Sequence, residues 1–384
     1  MRKCRTNNDG AELSIFASVA ELPEQWDEFL PEDHFLATEQ LGVTEGSKLP
    51  DLHYLYVLIT KAGKPLTAAY FQVLTLGPPH INPNQVSKGQ YLLWQTFSRF
   101  RRPPLLVAGH LFRHDICSFY WDPSVTAFEA FQHYRNSIDA AMKKSCAMAA
   151  LVKDTADELI SYFQHFAPQY FLLRNDISME LPISPDWQDM TNYEKALKHK
   201  YAQRLRKIRG AWEGLTVKQL SLDEVKNEKD TLFHLYQQVC KNQPIRIGML
   251  SPGYLVALKQ HHKDELRVWA VYEGDKMIAF YSAWVKDSLV DMFYIGFDYE
   301  RNADLQLYFN ILFFGVEQAI KAKAGKLILG RTALDAKARL GCQPRYLSTF
   351  LYIKNPLLRN VVTKMSANSS AKEGAWEERH PLKH

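Results

Sequence analysis

Apolar and polar positions alternate in the same way at two places in this chain. Residues 53–73 (HYLYVLITKAGKPLTAAYFQV) and 265–285 (ELRVWAVYEGDKMIAFYSAWV) each hold a β-branched and aromatic run, a short Lys/Gly turn and a second such run. That is the pattern of a β-hairpin. The two lie too far apart for a solenoid repeat, so they predict a duplicated domain. After the first hairpin the pattern predicts strands at 105–110 and 116–121. A helix follows, with Thr126 and Glu129 at capping-box spacing and Phe128, Phe131, Ile138 and Met142 along one side. A strand at 148–152, a helix from Thr155 stopped by Pro168, and an extended 170–175 complete the first half. The second half predicts a strand at 288–297 and a helix at 304–323. That helix is apolar nearly all round, with an acid at its start and Gly325 just beyond its end. A strand at 326–329, a short helix at 334–340 and a closing strand at 345–353 follow. The fold class expected is mixed α/β, in two tandem units at 11–188 and 189–365, with polar 366–384 as a frayed tail.

Between the halves, Tyr193, Leu197, Tyr201, Leu205, Ile208 and Trp212 fall on one helical stripe. The other faces carry Lys195, Lys198, Lys200, Arg204, Arg206, Lys207 and Arg209, the densest basic segment of the chain. Such a helix either grips an anionic partner through its phosphates or presents a solvated surface.

Composition narrows the class. The chain has 384 residues, 46% hydrophobic and 23% charged, as a soluble globular protein of about two domains does. No apolar run approaches the length of a membrane span, and the polar N-terminus predicts no secretory signal. Five cysteines, widely spaced and without a C-x-x-C pair, predict reduced thiols and a cytoplasmic protein rather than a disulfide framework. A net charge of +5 suits an anionic ligand without requiring one.

The sequence has no Walker loop, G-x-G-x-x-G, H-E-x-x-H or G-x-S-x-G, which speaks against the nucleotide-binding, zinc-protease and hydrolase classes those motifs mark. His110 and His114, with Asp115 and Cys117 nearby, sit in a strand–turn–strand context that does not bring two rings onto one helical face, so no metal site is expected. His261 and His262 end a helix, where imidazole suits the C-terminal dipole. In the segment 330–341 (GRTALDAKARLG), Arg331 and Thr332 follow a strand directly, where ligand-binding groups often stand, and Lys337 and Arg339 lie on the helix behind. Plain capping by Thr332 and Gly341 is the competing explanation. Asp291 and Tyr294 lie on an apolar strand, where a carboxylate is either a solvated edge group or a tuned group in a cleft.

These stretches resemble a known family. The unit looks like the GNAT acyltransferase fold. Its tandem use is similar to the FemAB-like, peptidoglycan-biosynthesis-type N-acyltransferases. The resemblance runs over roughly residues 11–365, on WQDMTNYEKALKHKYAQRLRKIRG, LVDMFYIGFDYER, GRTALDAKARLGCQP and, in the first half, LLVAGHLFRHDICSFYWDP. It implies transfer of an acyl or aminoacyl group from acyl-CoA, acyl carrier protein or aminoacyl-tRNA to an amine. It also implies a strand at 288–297 that splays from its neighbour. Backbone N–H groups at Ile295, Gly296 and Phe297 would meet the thioester carbonyl. The helix start near Asn302 would face pyrophosphate, Arg331, Thr332 and Lys337 would hold the carrier, and Asp291 and Tyr294 would be the catalytic pair. The family's glycine-rich basic turn is replaced by Asp298, Tyr299, Glu300, Arg301, Asn302 and Ala303, and its tyrosine acid after the fifth strand is missing from 333–340. A binding protein that kept the fold and lost the donor site is the alternative.

Overall fold

A computed structural model of the chain describes residues 2–5, 10–84, 86–113, 116–173, 176–243, 247–360, 362–363 and 377–383. Two antiparallel strands open it, β1 (Arg2–Arg5) and β2 (Ala11–Phe16), followed by short helices α1 (Gln25–Phe29) and α2 (Thr38–Gly46). The first hairpin stands where alternation predicts it: β3 (Leu52–Lys61) and β4 (Lys64–Thr75) pair from Leu52↔Leu74 to Lys61↔Lys64 around Ala62 and Gly63. A helix that the pattern did not announce, α3 (Lys88–Arg101), precedes β5 (Pro104–Ala108) and β6 (Phe119–Trp121). Both of these strands pair with β4, on successive stretches of it. Helix α4 (Ala127–Ser145) begins with the expected box, Thr126 accepting from the Glu129 N–H while Glu129 accepts from Thr126. Phe131, Ile138 and Met142 are buried with Tyr134, and Phe128 stays partly exposed. Then come β7 (Ala149–Val152), α5 (Asp157–Phe166) and β8 (Tyr170–Leu173). The cap of α5 is Ala156, not Thr155, and no side chain bonds there.

The second hairpin belongs to a separate sheet. The chain runs through β9 (Ile177–Pro182), α6 (Met190–Ala196), α7 (His199–Gly210), β10 (Thr216–Gln219), α8 (Leu222–Asn227), α9 (Lys229–Cys240) and α10 (Tyr254–His262). The hairpin strands β11 (Leu266–Glu273) and β12 (Lys276–Lys286) follow, then β13 (Leu289–Phe297). The single long helix expected next is two, α11 (Asn302–Leu305) and α12 (Leu307–Lys321), broken where Gln306 takes φ +48°. After α12 the left-handed residue is Lys323 rather than Gly325, whose N–H instead bonds the Ser288 carbonyl. The chain closes with β14 (Lys326–Gly330), α13 (Leu334–Ala338), β15 (Gln343–Tyr346) and β16 (Thr349–Ile353).

One sheet has nine strands, ordered β1-β2-β3-β4-β5-β7-β16-β8 with β6 also on β4. The other has seven, ordered β10-β11-β12-β13-β14-β9-β15. Each is antiparallel apart from one parallel pair, β5/β7 and β13/β14. Those pairs are joined across α4 and α12, as parallel strands require a crossover. Helix α12 buries Leu307, Ile311, Phe313, Val316, Ala319 and Ile320 among others, so it serves as the core of its layer.

The fold class is therefore mixed α/β with two units, but the units are not consecutive blocks. One contains Met1–Asp176, Pro244–Leu250 and Leu347–Lys372; the other contains Ile177–Gln243, Ser251–Tyr346 and Glu373–His384. The expected border at 188/189 falls instead at Asp176/Ile177, and the expected closing strand 345–353 is two strands serving different sheets. Leu347 donates to the Asp176 carbonyl, Thr349 bonds the Asp176 carboxylate at 2.5 Å, and Thr155 donates to Ser348, so the chain re-enters the first unit at Leu347. The stripe at 187–212 is likewise broken at Leu197 and Lys198, where the backbone is extended. Lys198 donates to the Pro381 carbonyl and Leu197 pairs with Leu382, so the described end of the expected frayed tail is docked.

Candidate functional site

The second sheet opens into a fork. On one side β13 pairs with β12 along its length; on the other it pairs with β14 only at Leu289, Val290 and Asp291. Beyond Ile328 the strand β14 leaves β13, passes through Gly330 at φ +78°, and turns into Arg331. A bulge sits on the β12 side of the fork, where Ser282 lies between the pairs Tyr281↔Ile295 and Ala283↔Met292. The buried Ser282 hydroxyl fills it, donating to the Tyr294 carbonyl at 2.9 Å and accepting from the Tyr294 N–H at 3.0 Å. Further along, the Asp298 N–H donates to Ile278 of β12 at 2.8 Å. Strand alternation then turns the N–H groups of Ile295 and Phe297 to the other edge, the one that β14 has vacated. Gly296 allows α9 to lie directly on this strand, for a methyl there would fall 2.4 Å from the Tyr236 nitrogen and 2.6 Å from the Leu235 carbonyl carbon.

Asp291 stands at the root of the fork. Its neighbours Val290 and Met292 belong to the core under α12, so Asp291 faces the other way, as does its cross-strand partner Trp284. On that face the register runs Asp291, Ile328, Glu180, which puts the two carboxylates two strands apart, about 10 Å. Glu180 is bridged by Lys326 at 3.0 Å and Arg345 at 3.5 Å. Tyr294 packs edge-on against Tyr236 with ring centres 5.5 Å apart. Burial above all, and then Tyr236, Tyr254 and Cys240, push its phenol well above the ordinary range, so it remains neutral.

The residues expected to hold a carrier are only partly gathered. Arg331 and Thr332 follow the tip of β14, and Thr332 is exposed; the cap position of α13 is Ala333, not Thr332. Lys337 turns inward: it is 3% exposed and donates to the Gly330 carbonyl at 3.1 Å, which corrects its expected reach toward a ligand. Desolvation lowers its ammonium to about 8. Asn302 is also spent internally, its side chain accepting from the Tyr308 N–H at 2.9 Å as a cap for α12. Trp212 and Asn310 donate to the Leu305 carbonyl at the end of α11. Ser282 and Glu180 escaped sequence reading; a buried Ser amid strand residues and a lone acid on an apolar strand carry no distinctive spacing.

The histidines take structural places. His110 is fully buried, its Nδ1 accepting from Phe112 and Arg113 at 3.1 and 3.0 Å. Burial, then Arg113 and Lys153, hold it well below the ordinary imidazole range. His114 and Asp115 lie outside the described residues. His262 packs on Trp284, ring centres 4.7 Å apart, with Glu265 at 3.8 Å. Among the described residues, no cluster of three or more His, Cys, Asp or Glu is placed to hold a metal ion, and no helix is long and apolar enough to cross a membrane.

Solved structures similar to this chain include FemX, at 11% identity, covering 94% of this chain and 100% of that one, with a TM-score of 0.48. A tandem GNAT protein from the clavulanic acid biosynthesis pathway has 8% identity over 90% of this chain and 99% of its own, TM-score 0.48. L-PGS from Bacillus licheniformis has 12% identity over 89% and 96%, TM-score 0.47. No family model and no curated protein matches the sequence.

Proposed function

We propose that the second unit moves an acyl or aminoacyl group from an activated carrier (acyl-CoA, acyl carrier protein or aminoacyl-tRNA) to an amine acceptor. The observation that carries this reading is the fork, a parallel pair that ends after three residues and leaves the Ile295 and Phe297 N–H groups on an open edge. Two fixed backbone donors on such an edge suit the oxygen of a tetrahedral intermediate, where charge develops only during reaction. The amine nitrogen attacks the carrier's carbonyl carbon, the C–N bond forms, and the electron pair moves onto that oxygen. Asp291 takes the proton that the amine loses. Collapse breaks the bond to the carrier's sulfur or oxygen, and the proton passes to the leaving group. Tyr294 serves by hydrogen bonding from its neutral phenol. Orientation supplies much of the acceleration. The basic helix α7 is the surface we assign to an anionic carrier, and a cytoplasmic setting keeps Cys117, Cys146, Cys240 and Cys342 as free thiols.

The test is a thermal-shift panel with acetyl-CoA, acylated carrier protein and charged tRNA, followed by mass analysis of amine products. One carrier should raise the melting temperature and be consumed, and Asp291→Asn should lower kcat at least tenfold with little change in KM. If no carrier binds or turns over, the reading is wrong. Binding without turnover would select a second reading, a non-catalytic binding protein. That reading is favoured by the internally capped start of α12 and the glycine-free turn before it.

A further inference from the structure

A cavity of about 590 Å³ lies in the second unit between α7, Arg339 and the returning C-terminal segment, within the range of small-ligand pockets. Lys200, Arg204 and Lys207 line it from one face of α7, at spacings of four and three residues. Arg339 enters from the end of α13, and Arg379 from 377–383. That segment is fixed by Lys198 donating to Pro381 at 2.7 Å and Lys383 donating to Ala196 at 2.8 Å, so Arg379 is positioned by backbone bonds. Among the described residues, the only carboxylate paired with any of these five cations is Glu377, on Arg379. The Nε atoms of Arg339 and Arg379 are enclosed and meet no hydrogen-bond partner among the described residues. Arg204 lies 4.8 Å over the Phe309 ring, and burial first, then Arg339 and Arg379, pull its guanidinium below the ordinary range.

Enclosed guanidinium N–H groups that the described residues leave without acceptors, gathered among like charges, are costly unless an anion supplies oxygens. We propose that this cavity is a binding site for the phosphates of a nucleotide. Three planar guanidinium forks and two ammonium groups match an anion with several oxygens and more than one charge, which phosphate is and a single carboxylate is not. Tyr201 lines the same cavity and offers a ring beside it. The cavity lies on α7, the helix assigned above to an anionic carrier, and the proposal rests on that reading.

The source of the phosphates is either a free nucleotide or the terminus of an RNA, and calorimetry on the full chain separates them. The probes are adenosine 3′,5′-bisphosphate and a short single-stranded RNA, with citrate as the carboxylate control, against wild type, Arg204→Gln/Arg339→Gln and Arg379→Gln. Arg379→Gln lies on the terminal segment, and circular dichroism shows whether each variant remains folded. Adenosine bisphosphate binding that weakens tenfold or more in the variants supports the site with a free nucleotide as source. Binding of RNA alone, lost in the variants and falling steeply with salt, supports it with RNA as source. No binding by either probe, equal affinity in folded variants, or equally tight binding of citrate overturns it.

A different observation carries a second surface. In α3, Leu92, Leu93, Phe97 and Phe100 are 62%, 74%, 44% and 82% exposed. Leu93, Phe97 and Phe100 form one ridge at spacings of four and three residues, flanked by Arg99 and Arg101 with Lys88 at the start, and the helix contains no acid. Ser87 and Gln90 cap its first turn, and Ser98 faces inward and is buried. A firmly begun helix that offers large apolar side chains between cations has the charge and shape of one lying in the headgroup layer of an anionic bilayer. We infer that α3 docks this unit onto such a membrane. Co-sedimentation with phosphatidylglycerol-containing vesicles should exceed that with pure phosphatidylcholine, and Leu93→Glu/Phe100→Glu should abolish the difference while the melting temperature holds. Equal sedimentation of wild type and variant, or a wild-type dimer in solution that the variant dissolves in place of any vesicle binding, would assign the ridge elsewhere.

Discussion

Lys337 shows how burial redirects a charged residue. Its position on a short helix behind Arg331 reads as a ligand contact in sequence, but the ammonium is enclosed and spends a hydrogen bond on Gly330. Its pKa falls from 10.5 to about 8, so the charged form is disfavoured in the folded chain by about 3 kcal/mol. Below pH 8 the lysine is protonated in both states and that penalty is present in full. Between pH 8 and 10.5 the unfolded chain binds more protons, so stability rises with pH. Lys337→Met removes the penalty and loses a bond of about 1 kcal/mol. The variant should be more stable than wild type at pH 7 in urea, and the gap should shrink by pH 10. A gap that does not change with pH would place the ammonium in water. Nearby Cys342, pushed up to about 12 by burial, remains a neutral thiol over this whole window.

At the scale of elements, the bulge in β13 sets the geometry of the fork. Ser282 satisfies both backbone groups of Tyr294 at the point where two residues face one. Ser282→Ala should leave a donor and an acceptor without their partner and cost about 1–3 kcal/mol, read from the urea midpoint. If the fork is the catalytic site, turnover should fall further than stability accounts for, because Ile295 and Phe297 follow the bulge directly. An unchanged urea midpoint would mean that water replaces the hydroxyl. The hairpins and α4 were legible because their signals are local: period-two alternation, a short turn, a Thr and Glu three apart. The breaks at Leu197 and Gln306 were not. Each interrupts a run with helical periodicity, and each meets a distant group, Pro381 and Leu382 at the first and Trp212 beside the second.

At the scale of the whole molecule, the chain completes its first sheet last. Strand β16 lies between β7 and β8, pairing Phe350 with Val152 on one side and with Leu172 on the other. A fragment ending at residue 188 therefore lacks a strand from within its sheet and carries β9, which belongs to the other sheet. Such a fragment should be aggregation-prone or show no cooperative melt by circular dichroism, whereas the full chain should melt cooperatively. A sharply melting monomeric fragment would mean that β16 is dispensable.

The sequence by itself determined the strands and helices whose pattern repeats within one turn or one hairpin, the duplicated order of those elements, and the basic character of α7. Periodicity is a property of near neighbours, and it survives in any context that offers a core. Only the tertiary structure decided which sheet each strand of 343–353 joins, that Lys337 and Asn302 face inward, and that Arg339 and Arg379 meet α7 around one cavity. β-propensity makes a strand without naming its partner, and a cation finds its neighbours across long stretches of intervening chain. Those choices belong to edges and enclosed volumes that exist only once both sheets are closed.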